Sequence, residues 1–206
     1  MILTHNHNDH IGGAEYIVTN FNVLKVFSSE DGSEDGAAKG LYDLIARKSI
    51  GLEFPVAGNI CDSFENIRLY FLHPGNQGRN EEENLNNSSV AFLMKYGESE
   101  ILFTGDVEYE AEKAISEKYA GLINADVLKS PHHGSITSSN SSLLALCSPD
   151  ISVISCGRNN KFGHPSGEVI RRYEFANCRI MRTDLSGCVS VVTDGRTIEA
   201  SACYTE

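Results

Sequence analysis

Thr4-His5-Asn6-His7-Asn8-Asp9-His10-Ile11-Gly12-Gly13 sets four metal-ligating side chains within six residues, in the order H-x-H-x-D-H. Imidazole and carboxylate suit zinc, manganese or iron. Alternate residues of an extended segment point to one side, so His5 and His7 can grip a single ion. The turn that follows can aim Asp9 and His10 at a second ion close by. The trailing Gly-Gly makes a chance histidine-rich patch a poor account of the stretch.

Outward from that stretch, strand and helix signals alternate. Residues 1–4 read as the end of a strand, 12–17 as a short helix and 22–27 as a strand. Residues 37–48 carry Ala37, Leu41, Leu44 and Ile45 at helical spacing. Strands are expected at 67–72, 88–96 and 101–104, with the polar stretch 75–87 as a surface insertion. An amphipathic helix follows at 107–119, then short buried strands at 126–129 and 150–156 around a helix near 141–147. Pro165 is expected to open a helix running to Phe175, since its fixed φ favours a first turn. The end reads as a hairpin, 188–193 and 196–203, about Asp194-Gly195. No repeat or linker interrupts this order, so residues 1–206 read as one α/β domain.

A 206-residue chain with 41% apolar content can bury a substantial core. No apolar run approaches the roughly 20 residues a bilayer span needs. The N-terminus lacks a basic region followed by an apolar stretch, so the expected location is cytoplasmic. Cys61, Cys147, Cys156, Cys178, Cys188 and Cys203 contain no C-x-x-C pair and read as free thiols of a reducing compartment. The formal net charge of −11 argues against a broad nucleic-acid-binding surface. Segment 158–182 is different. Arg158, Lys161, Arg171, Arg172, Arg179 and Arg182 face only Glu168 and Glu174 there. It reads either as a landing place for an anionic substrate or as a solvated helix face.

Three further stretches end a strand on chemistry-bearing residues. Phe103-Thr104-Gly105-Asp106 puts a carboxylate at a strand's C-terminal edge, where α/β sheets hold ligands. Lys129-Ser130-Pro131-His132-His133-Gly134-Ser135 repeats the design, and its adjacent histidines diverge, one toward metal and one toward substrate. Asn159-Asn160-Lys161-Phe162-Gly163-His164-Pro165 sets His164 beside a helix start, a natural anion site. His73, at the end of a strand, is a further candidate ligand.

Together these motifs resemble the metallo-β-lactamase superfamily, and within it the competence-type branch, whose hydrolase domain is appended to the ComEC DNA-uptake channel. The resemblance runs from residue 1 to about 195. It implies an αββα sandwich with a dinuclear site at one edge, holding two divalent ions, zinc or manganese, with iron also compatible. Matched residue by residue, His5 and His7 would bind the first ion, Asp9 and His10 the second, Asp106 would bridge both, and one of His132 and His133, by preference His133, would complete the second site. His73 most resembles the remaining histidine ligand of some relatives. Relatives begin with two or more strands ahead of the histidine cluster, so the chain is expected to be an N-terminally truncated domain. A ComEC-like parent would place it at a membrane, on the outer face, beside a channel domain.

The mechanism expected is hydrolysis. Asp9 orients the attacking water, and His132 and His164 stabilise the anion or protonate the leaving oxygen. Ser135, Arg158, Asn160 and Lys161 contact the substrate. DNA or a small phosphodiester is the expected substrate. The rivals are a lactam, lactone or thioester on the same fold, and a non-catalytic metal-binding or DNA-guiding module left from a longer uptake protein.

Overall fold

Strand–helix alternation of this kind calls for sheets covered by helices, and the computed structural model shows two sheets face to face. It describes residues 1–29, 36–75 and 84–203. In chain order the elements are β1 (Ile2–Leu3), α1 (Asn8–Ile11), α2 (Ala14–Asn20), β2 (Lys25–Ser28), α3 (Gly36–Arg47), β3 (Gly51–Glu53), β4 (Ile60–Phe64) and β5 (Ile67–His73). There follow β6 (Ala91–Tyr96), β7 (Ser99–Phe103), α4 (Tyr109–Lys118), β8 (Val127–Lys129), α5 (Ser141–Cys147) and β9 (Ile151–Ile154). Last come α6 (Gly167–Phe175), β10 (Arg179–Arg182), α7 (Thr183–Ser186), β11 (Val189–Thr193) and β12 (Ile198–Ala202). Short 3-10 turns lie at Leu85–Ser88 and Pro131–Gly134.

The first sheet is parallel, in the order β1-β2-β3. The second runs β10-β9-β8-β7-β6-β5-β4, parallel from β10 to β7 and antiparallel from β7 to β4. Val18, Leu41 and Ile45 bury the helical stripes of α2 and α3 against Leu3 and Val26 of the first sheet. Phe27, Leu69, Phe71 and Phe92 fill the space between the sheets. Leu102, Leu128 and Ile154 face Ile115, Leu143, Val169 and Tyr173 of α4, α5 and α6. The layers are therefore helix, sheet, sheet, helix: the αββα architecture of the metallo-β-lactamase fold.

Most differences from the sequence reading fall on edges. β3, β4 and β10 carry no expected strand, and each is the last strand of its sheet. An edge strand is half solvated, so its apolar pattern is weak; Ile60 and Phe64 of β4 are 60% and 50% exposed. The helix after Pro165 begins at Gly167, because the Ser166 hydroxyl accepts the Val169 N–H and caps it there. The final hairpin pairs Thr193 with Ile198, which leaves four loop residues. Asp194 explains the length, since its Oδ1 accepts the N–H groups of Arg196 and Thr197. Of the insertion 75–87, residues 76–83 lie outside the described residues, but its far end is no free surface loop. Asn86 and Ser88 are buried, and Asn84 and Asn86 donate to Glu108.

A polar network lies behind α4. Glu112 is fully buried and accepts the N–H groups of Ser139 and Asn140. The Tyr173 hydroxyl joins Ser139 Oγ to Ser130 Oγ, 2.9 Å from each. Burial pushes the Glu112 carboxyl up to about 7, against the two N–H donors and Arg172. An unfolded chain releases this proton in the ordinary range, near 4.5. The folded state therefore holds it more tightly, and the resulting stability is fully present below that value and lost as pH rises through about 7. Between pH 5 and 8 the melting temperature of the wild type is expected to fall relative to that of Glu112→Gln, which carries no titrating group there. Parallel curves would show that Glu112 titrates alike folded and unfolded.

Candidate metal centre

β1 ends at Leu3, and the chain stays extended through His5 and His7 before α1 begins. Asn6 points the other way, where its Oδ1 accepts from the Tyr42 hydroxyl 2.9 Å away. The His7 carbonyl starts α1 by accepting the N–H groups of His10 and Ile11. From the second sheet, β7 delivers Thr104-Gly105-Asp106. Gly105 has φ +58°, and a Cβ there would lie 2.7 Å from Ser89 Cβ and 2.9 Å from Thr4 Cβ, so only glycine lets the two sheet ends meet. β8 delivers His132 and His133, whose φ values of 44° and 54° turn the rings apart. Gly134 continues the left-handed turn under Pro165.

These loops converge. Asp106 is 2% exposed. Its Oδ2 lies 3.1 Å from His10 Nε2, 3.3 Å from His133 Nε2 and 4.0 Å from His5 Nε2. Asp9 Oδ2 lies 3.3 Å from His133 Nε2, and its side chain is 64% exposed. Asp9, His10, Asp106 and His133 each bring one donor atom within 4.8 Å of all the others. His5 Nε2 meets His7 Nδ1 at 3.0 Å. The far sides of the rings are held. His133 Nδ1 donates to the Ser155 carbonyl at 2.7 Å, which leaves the Nε2 lone pair facing inward. Ser89 Oγ accepts the Asp106 N–H and lies 3.2 Å from His5 Nδ1, while Thr4 Oγ1 lies 3.1 Å from His10 Nδ1.

The electrostatics follow from burial. Desolvation raises the Asp106 carboxyl, yet hydrogen bonding to His10 and His133 holds it far below the usual carboxylate range. Burial, then His10, pushes His5 down to about 3, so its imidazole is neutral at pH 7. His133 is raised, chiefly by its bond to Asp106.

This donor set fits a divalent cation. Asp106 Oδ1 is buried and has no hydrogen-bond partner. Two pairs of imidazole nitrogens face each other, at 3.0 Å for His5 and His7 and 3.4 Å for His10 and His133. Facing nitrogens cannot both present protons, whereas a cation satisfies both lone pairs and the spare carboxylate oxygen.

The remaining expected residues have other surroundings. His73 Nε2 donates to the Asn87 carbonyl at 2.7 Å. His132 sits beside it, its Nδ1 buried and 3.0 Å from Glu108 Oε1. The His164 ring is 5.7 Å from that of His132. Ser135 Oγ is paired with Thr137 Oγ1 at 2.9 Å. The Asn160 amide is spent on its own loop, binding Gly157, Phe162 and His164. A substrate role for Asn160 would require breaking those bonds. In the basic segment, Arg171 and Arg172 pair with Glu168 and Arg182 pairs with Asp184. Arg158 and Lys161 are exposed, with no carboxylate partner among the described residues.

Sequence reasoning missed Ser89 and Glu108. Glu108 Oε1 accepts from Asn86 and Thr137, and Oε2 from Asn84, so its carboxylate is fixed against His132. The only signal in the chain was a carboxylate two residues beyond Asp106, which reads equally as a helix start.

Two stacked sheets under helices, with a histidine–aspartate cluster across one end, define a class. The family described as the Metallo-beta-lactamase superfamily matches residues 1–158, and the chain belongs to it. It is 28% identical to ComE operon protein 3 of Bacillus subtilis over 92% of this chain and 24% of that protein. Recombination protein 2 of Haemophilus influenzae is 28% identical over 93% of this chain and 22% of its own length. Competence protein ComA of Neisseria gonorrhoeae is 31% identical over 61% and 18%. The chain thus spans about a quarter or less of these curated relatives. Among solved structures it resembles CmlA, a diiron beta-hydroxylase from Streptomyces venezuelae. The TM-score is 0.61 at 13% identity, over 88% of this chain and 42% of that one. Zn(2+)-bound PqqB from Methylobacterium extorquens gives 0.50 at 10%, over 88% and 70%. No helix among the described residues is long and apolar enough to cross a membrane.

Ions bound to the folded state alone stabilise it by mass action, about 2.7 kcal/mol at a hundredfold excess over Kd. Adding Zn2+ or Mn2+ to chelator-stripped protein is expected to raise its melting temperature by several degrees. Asp106→Asn is expected to remove most of that rise. A rise of equal size in the variant would move the ion away from Asp106.

Proposed function

We propose that the chain is a phosphodiester hydrolase with nucleic acid among its substrates, working through two divalent ions held where the histidine and aspartate side chains meet. The observation that carries this reading is Asp106, a buried carboxylate with one oxygen facing three imidazoles and the other unpartnered. His5 and His7 would hold one ion, Asp9, His10 and His133 another, and Asp106 would contribute to both. Residues 1–206 act as one hydrolase unit. When bound, the ions supply Lewis-acid chemistry and make water acidic near neutral pH.

The rest falls to the protein's own groups. Asp9, exposed at the mouth, accepts a hydrogen bond from the attacking water and aims it. Glu108, 3.0 Å from His132 Nδ1, sets the orientation of the ring, and His132 is the group assigned to deliver a proton to the leaving oxygen. His164, neighbour to His132, stabilises the anion beside it. Arg158 and Lys161 offer exposed cations to the phosphates. Those two cations and the relatives named for competence and recombination support a nucleic-acid substrate over a lactam, lactone or thioester. In a longer parent the domain would work beside a channel.

Purified protein loaded with Zn2+ or Mn2+ is expected to hydrolyse bis-p-nitrophenyl phosphate, and Asp106→Asn to lose at least a hundredfold in rate. Turnover of a lactam or thioester with none of the phosphodiester would overturn the substrate class. Acid catalysis contributes roughly 10²–10⁴-fold when the leaving group is poor. Glu108→Gln is therefore expected to slow release of a nucleoside alcohol far more than release of p-nitrophenol. Equal losses on the two would remove Glu108 and His132 from proton delivery.

A further inference from the structure

Phe162 is 68% exposed in a loop whose backbone is firmly fastened. Asn160 Nδ2 donates to the carbonyls of Gly157 and His164, and its Oδ1 accepts the N–H groups of Phe162 and His164. Asn159 and Gly163, on either side, take φ values of +57° and +73°, which turn the loop outward. An aromatic ring held out on so short and tied a loop can take a ligand without the loop having to be ordered first.

Its neighbours say what that is. The Phe162 ring lies nearly parallel to that of His164, with centroids 5.8 Å apart and planes 17° apart. From His164 the rings continue to His132 at 5.7 Å, to His133 at 6.2 Å and to His10 at 5.3 Å. Phe162 is thus the outer end of a file of rings that runs into the candidate metal centre. Lys161 Nζ is 5.1 Å from the Phe162 centroid. Arg158, on the same loop, is anchored only by Nε, which donates to the Asp184 carbonyl. An exposed ring stacked on His164, with the flexible Lys161 ammonium over it and Arg158 beside it without a carboxylate partner among the described residues, matches the repeating chemistry of a nucleotide strand once the lysine swings aside to a phosphate.

We propose that Phe162 is a stacking platform for an unpaired nucleobase of a single-stranded nucleic acid, with Lys161 and Arg158 taking the adjoining phosphates. This rests on the phosphodiesterase reading and narrows it from phosphodiesters at large to strands whose bases are free to leave the stack. A base inside a duplex has both faces covered and cannot lie on Phe162 without first being extruded. The loop would set the register of the strand, so that a phosphate farther along it, past the one held by Lys161 and Arg158, approaches Asp106 and His133.

The test is binding at fixed salt, using an oligodeoxythymidylate and an abasic oligomer of the same length and charge. Base–aromatic stacking is worth roughly 1–3 kcal/mol, so the wild type is expected to prefer the base-bearing strand about tenfold or more. Phe162→Ala should bring the two dissociation constants together, and Phe162→Trp should restore the preference. Arg158→Ala with Lys161→Ala should weaken both strands and steepen neither preference. A preference that survives in Phe162→Ala, or loss of affinity equal on both strands, overturns the platform. The measurement needs no turnover, so absent hydrolysis would count against the phosphodiesterase reading while leaving the platform decided by the binding constants.

Discussion

A carboxylate buried to 2% exposure must find positive charge or lose its own, and the arrangement around Asp106 answers that need. Three imidazoles turn toward it from two sheets, and its remaining oxygen is buried without a hydrogen-bond partner among the described residues. Packing alone would not gather four such side chains from residues more than a hundred apart in sequence. The arrangement makes sense as a charge balance that is completed by an ion. Hydrogen bonding between Asp106 and the imidazoles raises His133 and holds the Asp106 carboxyl far down, against the desolvation of both.

What keeps the donors in place is a second layer of ordinary polar contacts. Ser89 touches both His5 and the Asp106 backbone, and Thr4 reaches His5 and His10. Behind them Glu108, Glu112 and Tyr173 fasten the segment after His133 to α4 and α6. Lys129, at the end of β8, donates to the Ser130 carbonyl, and burial lowers its pKa against the pull of Asp106. The acidity of the whole molecule says little about the potential where chemistry would occur. Within segment 158–182, Arg171 and Arg172 are spent on Glu168 and Arg182 on Asp184, whereas Arg158 and Lys161 are exposed without a carboxylate partner among the described residues.

The layered fold was legible because buried segments carry their period openly. The helix at 141–147 and the strands at 67–73 and 99–103 are apolar where they face the core. β3, β4 and β10 were not legible, since edge strands lack that imprint. At the site, H-x-H-x-D-H and the His-His-Gly turn announce their chemistry through residue type alone. Ser89 and Glu108 do not, because a serine before a strand and a glutamate before a helix have commoner uses. Asn160 misled for the opposite reason. Its side chain has the right chemistry for a phosphate, but the loop claims all of it. His73 has the right type too, and its position beside Asn87 turns one nitrogen to a carbonyl.

His5 and His10 hang from the first sheet, Asp106 and His133 from the second, and one backbone bond between them, Val90 N–H to Thr4 carbonyl, crosses the gap. The spacing of the donors is thus a vernier on the alignment of the two sheets. Between the sheets lies the aromatic layer of Phe27, Phe71 and Phe92, close-packed, so a shift of one sheet over the other must pass through it. A slide of a few tenths of an ångström in that layer would be read out at the rim as a change in bite. Selection on the chemistry therefore reaches into the middle of the sandwich, to side chains that never meet a substrate.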